Sequence, residues 1–150
     1  MANLDPVILN MHVSLLRRLG ALLYDALLLA ALLMVATALW LPFTRGEAIT
    51  PATQPVLEWV YRLTLVLLTI AFFGLFWTRS GQTLGMAAWR IKLEREDGAL
   101  LTWYDTVIRL VAAILSWLPA GLGFLWILAD SEKRAWHDRL SHTRVVRLPQ

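Results

Sequence analysis

The chain has 150 residues, 58% of them hydrophobic, and a mean hydropathy of +0.57. That is the length of one domain, but it is too apolar for an ordinary soluble one. The net charge of +3 and pI near 9.8 do not mark a nucleic-acid binder, because the basic residues flank apolar runs instead of forming a stripe. The absence of Cys excludes disulfides, thiolate metal sites and thiol nucleophiles.

In chain order, residues 19–43 form a first apolar run that closes around Pro42 and is long enough to cross about 30 Å of hydrocarbon. Its length and its single charge, Asp25, argue against a cleaved leader, despite the Ala36-Thr37-Ala38 sequence. A short polar loop, Thr44 to Pro55, leads to a second spanning run, residues 56–77. There Glu58 and Arg62 stand four apart, spaced for an ion pair on one helix face near the membrane surface. Several of the eight Trp residues sit at run ends, as expected of headgroup-level anchors.

The polar segment that follows has Gly81 and Gly85, which are poor helix interior, and Met86 to Trp89, which could lie flat at the interface. Alternation from Trp89 to Glu94 and the Glu96-Asp97-Gly98 turn signal predict a small β-hairpin. Thr102 with Asp105 three residues on reads as a helix N-terminus. The third apolar region, residues 103–129, is broken by Leu118-Pro119-Ala120-Gly121-Leu122-Gly123. The tail, 130–150, opens as a short surface helix through Leu140 and ends in the β-prone pair Val145-Val146.

Positive charge places the N-terminus (Arg17, Arg18) and the middle segment (Arg79, Arg90, Lys92, Arg95) in the cytoplasm. A straight third span would put the five basic residues of the tail outside. A fold-back at Pro119–Gly123 returns them to the cytoplasm, so a re-entrant hairpin is favoured over a third span. In that frame Asp25 lies some 9 Å into the membrane and Arg109 at about the same depth. The expectation is an Asp25–Arg109 pair, with Asp105 and Arg18 nearby. A buried carboxylate in a spanning helix is either a structural latch or a functional site.

The stretch RRLGALLYD brings the reading to a family. With Arg18 and Asp25 in it, with GQTLGMAAWRIKLEREDG after the second run, with Arg109, and with WHDRLSHTRVV at the end, the chain resembles the RDD family of small bacterial membrane proteins over residues 14–147. His137 and Asp138 match the closing motif, and the second Asp of the family name falls on Asp130 or Asp138. The chain departs from the pattern at Met86, where a basic residue is usual, and at His142 and Arg144. The resemblance implies a multi-pass membrane fold and suggests transport of some ligand.

No nucleotide loop, nucleophile elbow or zinc helix motif is present, so no enzyme and no cofactor is expected. His12, His137 and His142 are too scattered for a metal site. The Trp136-His137-Asp138 cluster reads as a juxtamembrane anchor in preference to a gate. The expected fold is an all-α membrane protein: two transmembrane helices, a broken third region, and a short cytoplasmic hairpin or interfacial segment between them. It sits in the bacterial inner membrane with both ends in the cytoplasm.

The expected function is transport of an ion or small polar solute by a cluster drawn from Arg18, Asp25, Asp105, Arg109, His137 and Asp138. Its partners would be membrane lipids, the solute and, because so little protein encloses a pathway, further copies of the chain. The alternative is an accessory or scaffold protein whose buried ion pair only fixes helix packing.

Overall fold

The computed structural model describes residues 13–44 and 54–149. Most of the polar loop between the first two runs, and His12, lie outside the described residues. Helix α1 (Leu15–Trp40) runs into a single 3-10 turn (Leu41–Thr44) around Pro42, whose missing N–H and fixed φ end the α-helix. Along its length only Ala21 and Asp25 are buried. Helix α2 (Pro55–Arg79) starts with Pro at a position where no backbone donor is required. Both helices are long and apolar enough to cross a membrane.

They form an antiparallel pair. Thr37 and Tyr61 share a 2.9 Å hydrogen bond towards one end, while Ala21 and Trp77 pack in one cluster towards the other. Glu58 and Arg62 form the expected ion pair within α2, with the Arg62 guanidinium over the Trp59 ring.

The apolar core lies at one end of this pair, not along it. It comprises Val13, Ala21, Trp77, Met86, Ile91, Leu93, Leu101 and Val145. Helix α3 (Leu84–Ala88) carries Met86 into that core and packs on α1, while Ala87 to Trp89 stay exposed.

The expected hairpin is replaced by a longer-range pairing. Strand β1 (Ile91–Arg95) does end in the foreseen turn, with Gly98 at φ 83° and its N–H donating to Arg95 O at 2.9 Å. The next residues cap helix α4 (Trp103–Trp117) and do not return along β1. Its partner is β2 (Thr143–Arg147), antiparallel, with Leu93 opposite Val145 and Glu94 opposite Arg144. The Glu94–Arg144 pair, 2.8 Å from Nε to Oε1, adds a charged cross-strand contact. Local turn signals say where a chain bends; which strand completes a pair is decided by burial of its apolar face.

The Thr102–Asp105 capping box forms as read, each side chain bonding the other residue's backbone N–H. The break also falls where Pro119 and the glycines put it. Ala120 and Gly121 adopt left-handed φ of 53° and 78°, and helix α5 (Leu122–Ala129) leaves at 91° to α4. The tail is helical only over α6 (Trp136–Leu140), a single short turn preceded by a bend at Asp130–Ala135. Arg17 donates to Trp89 O at 3.2 Å and Arg18 to Lys133 O at 3.0 Å. The start of α1, the segment after α2 and the C-terminal tail therefore gather at one end of the helix pair.

Candidate functional site

Four charged or titratable side chains meet at that end: Arg18 of α1, Arg109 of α4, and His137 and Asp138 of α6. Asp138 is fully buried and is the hub. Arg18 Nη1 lies 2.5 Å from its Oδ2, Arg109 Nη2 lies 2.7 Å from its Oδ1, and the Ala135 N–H donates to Oδ2 at 3.1 Å. Burial alone pushes the Asp138 carboxyl up. The guanidinium groups of Arg109 and Arg18 outweigh that and hold it well below the usual carboxylate range. Arg109 also donates to Thr143 Oγ1 at 2.5 Å and stands 5.5 Å from the Trp77 ring centroid. His137 stacks near Phe124, with centroids 4.6 Å apart. Burial, and then the nearby Arg109 charge, push its pKa down to about 3, so the imidazole is neutral at physiological pH.

Asp25 does not pair with Arg109, and Asp105 does not join the cluster. The depth reading put Asp25 and Arg109 at one level as an ion pair, but the returning tail inserts Asp138 between Arg18 and Arg109 and takes both cations. Asp25 turns instead to α3. Thr83 Oγ1 donates to its Oδ2, and the Gly85 N–H donates to Oδ1 at 2.9 Å. Asp105 is absorbed in capping α4 and stands 3.8 Å from Arg95.

The Gln82-Thr83-Leu84-Gly85 stretch thereby acquires a local physical reason. Thr83 caps α3 through Met86 N at 3.2 Å, and Gly85 lets the α3 backbone come close to α1. A Cβ at Gly85 would sit 2.4 Å from the Ala21 carbonyl oxygen and 2.8 Å from Asp25 Oδ1. Gly85→Ala is accordingly expected to destabilise the fold by about 2–3 kcal/mol, by overpacking and by weakening the Asp25 bonds. Thermal unfolding in detergent measures this, and an unchanged midpoint would contradict the close approach.

Thr83, Thr143 and Trp77 were not foreseen as parts of the site. Thr83 had a signal, since a Thr before a short helical stretch is an N-cap candidate. Thr143 had none, because only the β1–β2 pairing carries it to Arg109.

Asp25, Arg18, Arg109 and His137 share the wall of one open cavity of about 110 Å³, whose remaining lining is mostly apolar and includes Phe73, Phe124 and Ile127. With Asp25 ionised, the two Arg and two Asp charges cancel. Among the described residues Asp25 is the one carboxylate with no cation within 4 Å; Glu58, Glu94, Glu96, Asp97, Asp105, Asp130, Glu132 and Asp138 are all ion-paired. No three His, Asp or Glu side chains among the described residues converge as metal ligands.

An uncharacterized protein of Rickettsia prowazekii is 31% identical to the chain over 84 residues, which is 56% of this chain and 47% of that protein. The chain thus matches about half the length of this curated relative. No solved structure matches it. The RDD family model matches residues 12–142, which take in both long helices, the Asp25 carboxylate and the whole Arg18–Arg109–Asp138 cluster, and the chain belongs to the RDD family.

Proposed function

We propose that this protein takes up an ion or small polar solute in the cavity beside Asp25 and passes it across the bacterial inner membrane, with its N-terminus and tail in the cytoplasm. One observation carries the reading: a buried carboxylate with no cation within 4 Å among the described residues stands on the wall of an open cavity. Two neutral donors, Thr83 Oγ1 and the Gly85 N–H, compensate only part of the cost of a charge in low dielectric. A proton or a cation, alone or carried by a solute, would give Asp25 the direct partner that Arg18 and Arg109, both bound to Asp138, do not supply, and intramembrane carboxylates are used in this way in proton and ion relays. Clustering of the N-terminal arginines, β1 and the tail at one end supports a re-entrant α4–α5 and a common cytoplasmic face. So small a cavity in one chain favours assembly of several copies. The role is binding and passage, not catalysis.

Asp25→Asn tests it. The amide oxygen can still accept from Gly85, so the fold is retained, while uptake of radiolabelled monovalent cations or pH-driven flux in proteoliposomes is expected to fall at least tenfold. Unchanged flux would remove Asp25 from the pathway.

The accessory or scaffold reading has its own support, because Asp138 is paired on both oxygens and Asp25 is bonded on both of its own. Under it, Asp25→Asn costs folding or assembly, and reconstituted protein carries no flux to lose.

A further inference from the structure

A second group of cations lies outside that site. Arg17 on the first turn of α1, Arg90 at the α3–β1 junction and Arg147 at the end of β2 line one groove of about 330 Å³, together with Ala88, Trp89 and Leu148. Three separate elements bring these arginines together, and backbone bonds fix the frame. Arg17 Nη1 donates to Trp89 O at 3.2 Å, and Leu148 N–H donates to Arg90 O at 2.9 Å. The Trp89 ring lies on α1 at Gly20, where a Cβ would come within 2.4 Å of it.

Three guanidinium groups with no carboxylate among them offer paired donors to an anion. Seven other arginines among the described residues each have a carboxylate within 4 Å. Arg17, Arg90 and Arg147 have none among the described residues, and neither does Arg79, which stands outside the groove. The groove also opens at the level where α1 enters its apolar run. Leu16, next to Arg17, is 77% exposed, and the groove wall carries Trp89, a residue type enriched at headgroup level.

We propose that this groove holds the phosphate headgroup of an anionic glycerophospholipid, in the leaflet at the N-terminal end of α1. Planar guanidinium groups match phosphate oxygens in paired hydrogen bonds, and the adjoining lipid-facing side of α1 receives the acyl chains. The groove shares no arginine with the Asp25 cavity, so the proposal stands whether or not the protein transports anything.

The test uses the full chain in neutral detergent with equimolar phosphatidylglycerol and phosphatidylcholine, with retained lipid counted by native mass spectrometry. Phosphatidylglycerol is expected to be retained selectively. Each Arg→Gln change should weaken retention about fivefold, and R17Q/R90Q/R147Q about 100-fold. The control R79Q/K92Q/K133Q removes the same number of charges elsewhere and should leave retention within about twofold of wild type. Equal losses in the two triple variants would overturn the proposal in favour of a general charge effect. Displacement of the lipid by 10 mM inorganic phosphate would overturn it in favour of a free-anion site. Should the triple variant fail to elute as folded protein, R147Q alone, at the end of β2, reads the same fivefold effect, and its absence counts against the groove.

Discussion

Asp138→Ala is expected to cost about 3–5 kcal/mol of folding stability, enough to leave a chain of ordinary marginal stability largely unfolded. The substitution removes the one carboxylate between Arg18 and Arg109 and leaves two guanidinium groups buried and unbalanced, with side chains only 13% and 8% exposed. It also removes the acceptor of the Ala135 N–H at the start of α6. The lost contacts join α1, α4 and α6, so the tail should detach first, and protease cleavage after residue 129 is the sensitive measure beside the thermal midpoint. The triple change Arg18→Met, Arg109→Met, Asp138→Leu sharpens the result. If the cluster serves only to hold the helices, this apolar replacement should recover most of the loss, as buried ion pairs often can be replaced without penalty. Recovery of folding without recovery of flux would place the charges in the working site, and an Asp138→Ala protein as stable as wild type would contradict the ion-paired hub altogether.

Acidification should destabilise the protein through His137 from about pH 6.5 downward. The imidazole is held neutral in the fold, with its pKa pushed down to about 3, while in the unfolded chain it takes a proton near 6.5. The unfolded state therefore binds more protons between these values. The contribution of neutral His137 is complete above about pH 6.5 and is lost progressively as pH falls towards 3. The loss is roughly 2 kcal/mol by pH 5 and at most about 5 kcal/mol over the whole window. Asp138 acts with the same sign at lower pH. Its depressed carboxyl stabilises the fold above the ordinary carboxylate range and loses that effect as pH falls below it. His137→Phe keeps a ring against Phe124 and removes the titration, so its midpoint should be flat between pH 7 and 5 while that of wild type falls. Parallel curves for the two proteins would show that His137 is not the group responsible.

The two effects share one cause. The tail residues His137 and Asp138 are outside the long apolar helices, yet they are buried by the folding back of the chain after the 91° break. Arg18 and Arg109 hold Asp138 ionised, while burial first and then the Arg109 charge hold His137 neutral. The site is therefore a property of the 91° break at Pro119–Gly123. A change that straightened this break would withdraw Asp138 from Arg18.

Several features were legible in the sequence because their causes are local. The two long helices follow from the length of the apolar runs, the end of α1 from Pro42, the start of α4 from the Thr102–Asp105 cap, and the break from Pro119 and the adjoining glycines. Arg18, Arg109, His137 and Asp138 were all singled out, but not their pairing. Depth in a membrane is a one-dimensional coordinate; it put Asp25 and Arg109 at one level and could not tell which carboxylate would reach the arginine. That was decided by the tail. Its strand pairs with β1 because Leu93, Ile91 and Val145 need one shared core, and the pairing carries Thr143 and Asp138 to Arg109 and leaves Asp25 to Thr83 and Gly85. Sequence by itself determined the elements and their breaks, through rise per residue, missing donors and local caps. The partners follow from tertiary contact, because burying a charge is tolerable only against a particular opposite charge, and which one arrives depends on contacts as much as 120 residues apart.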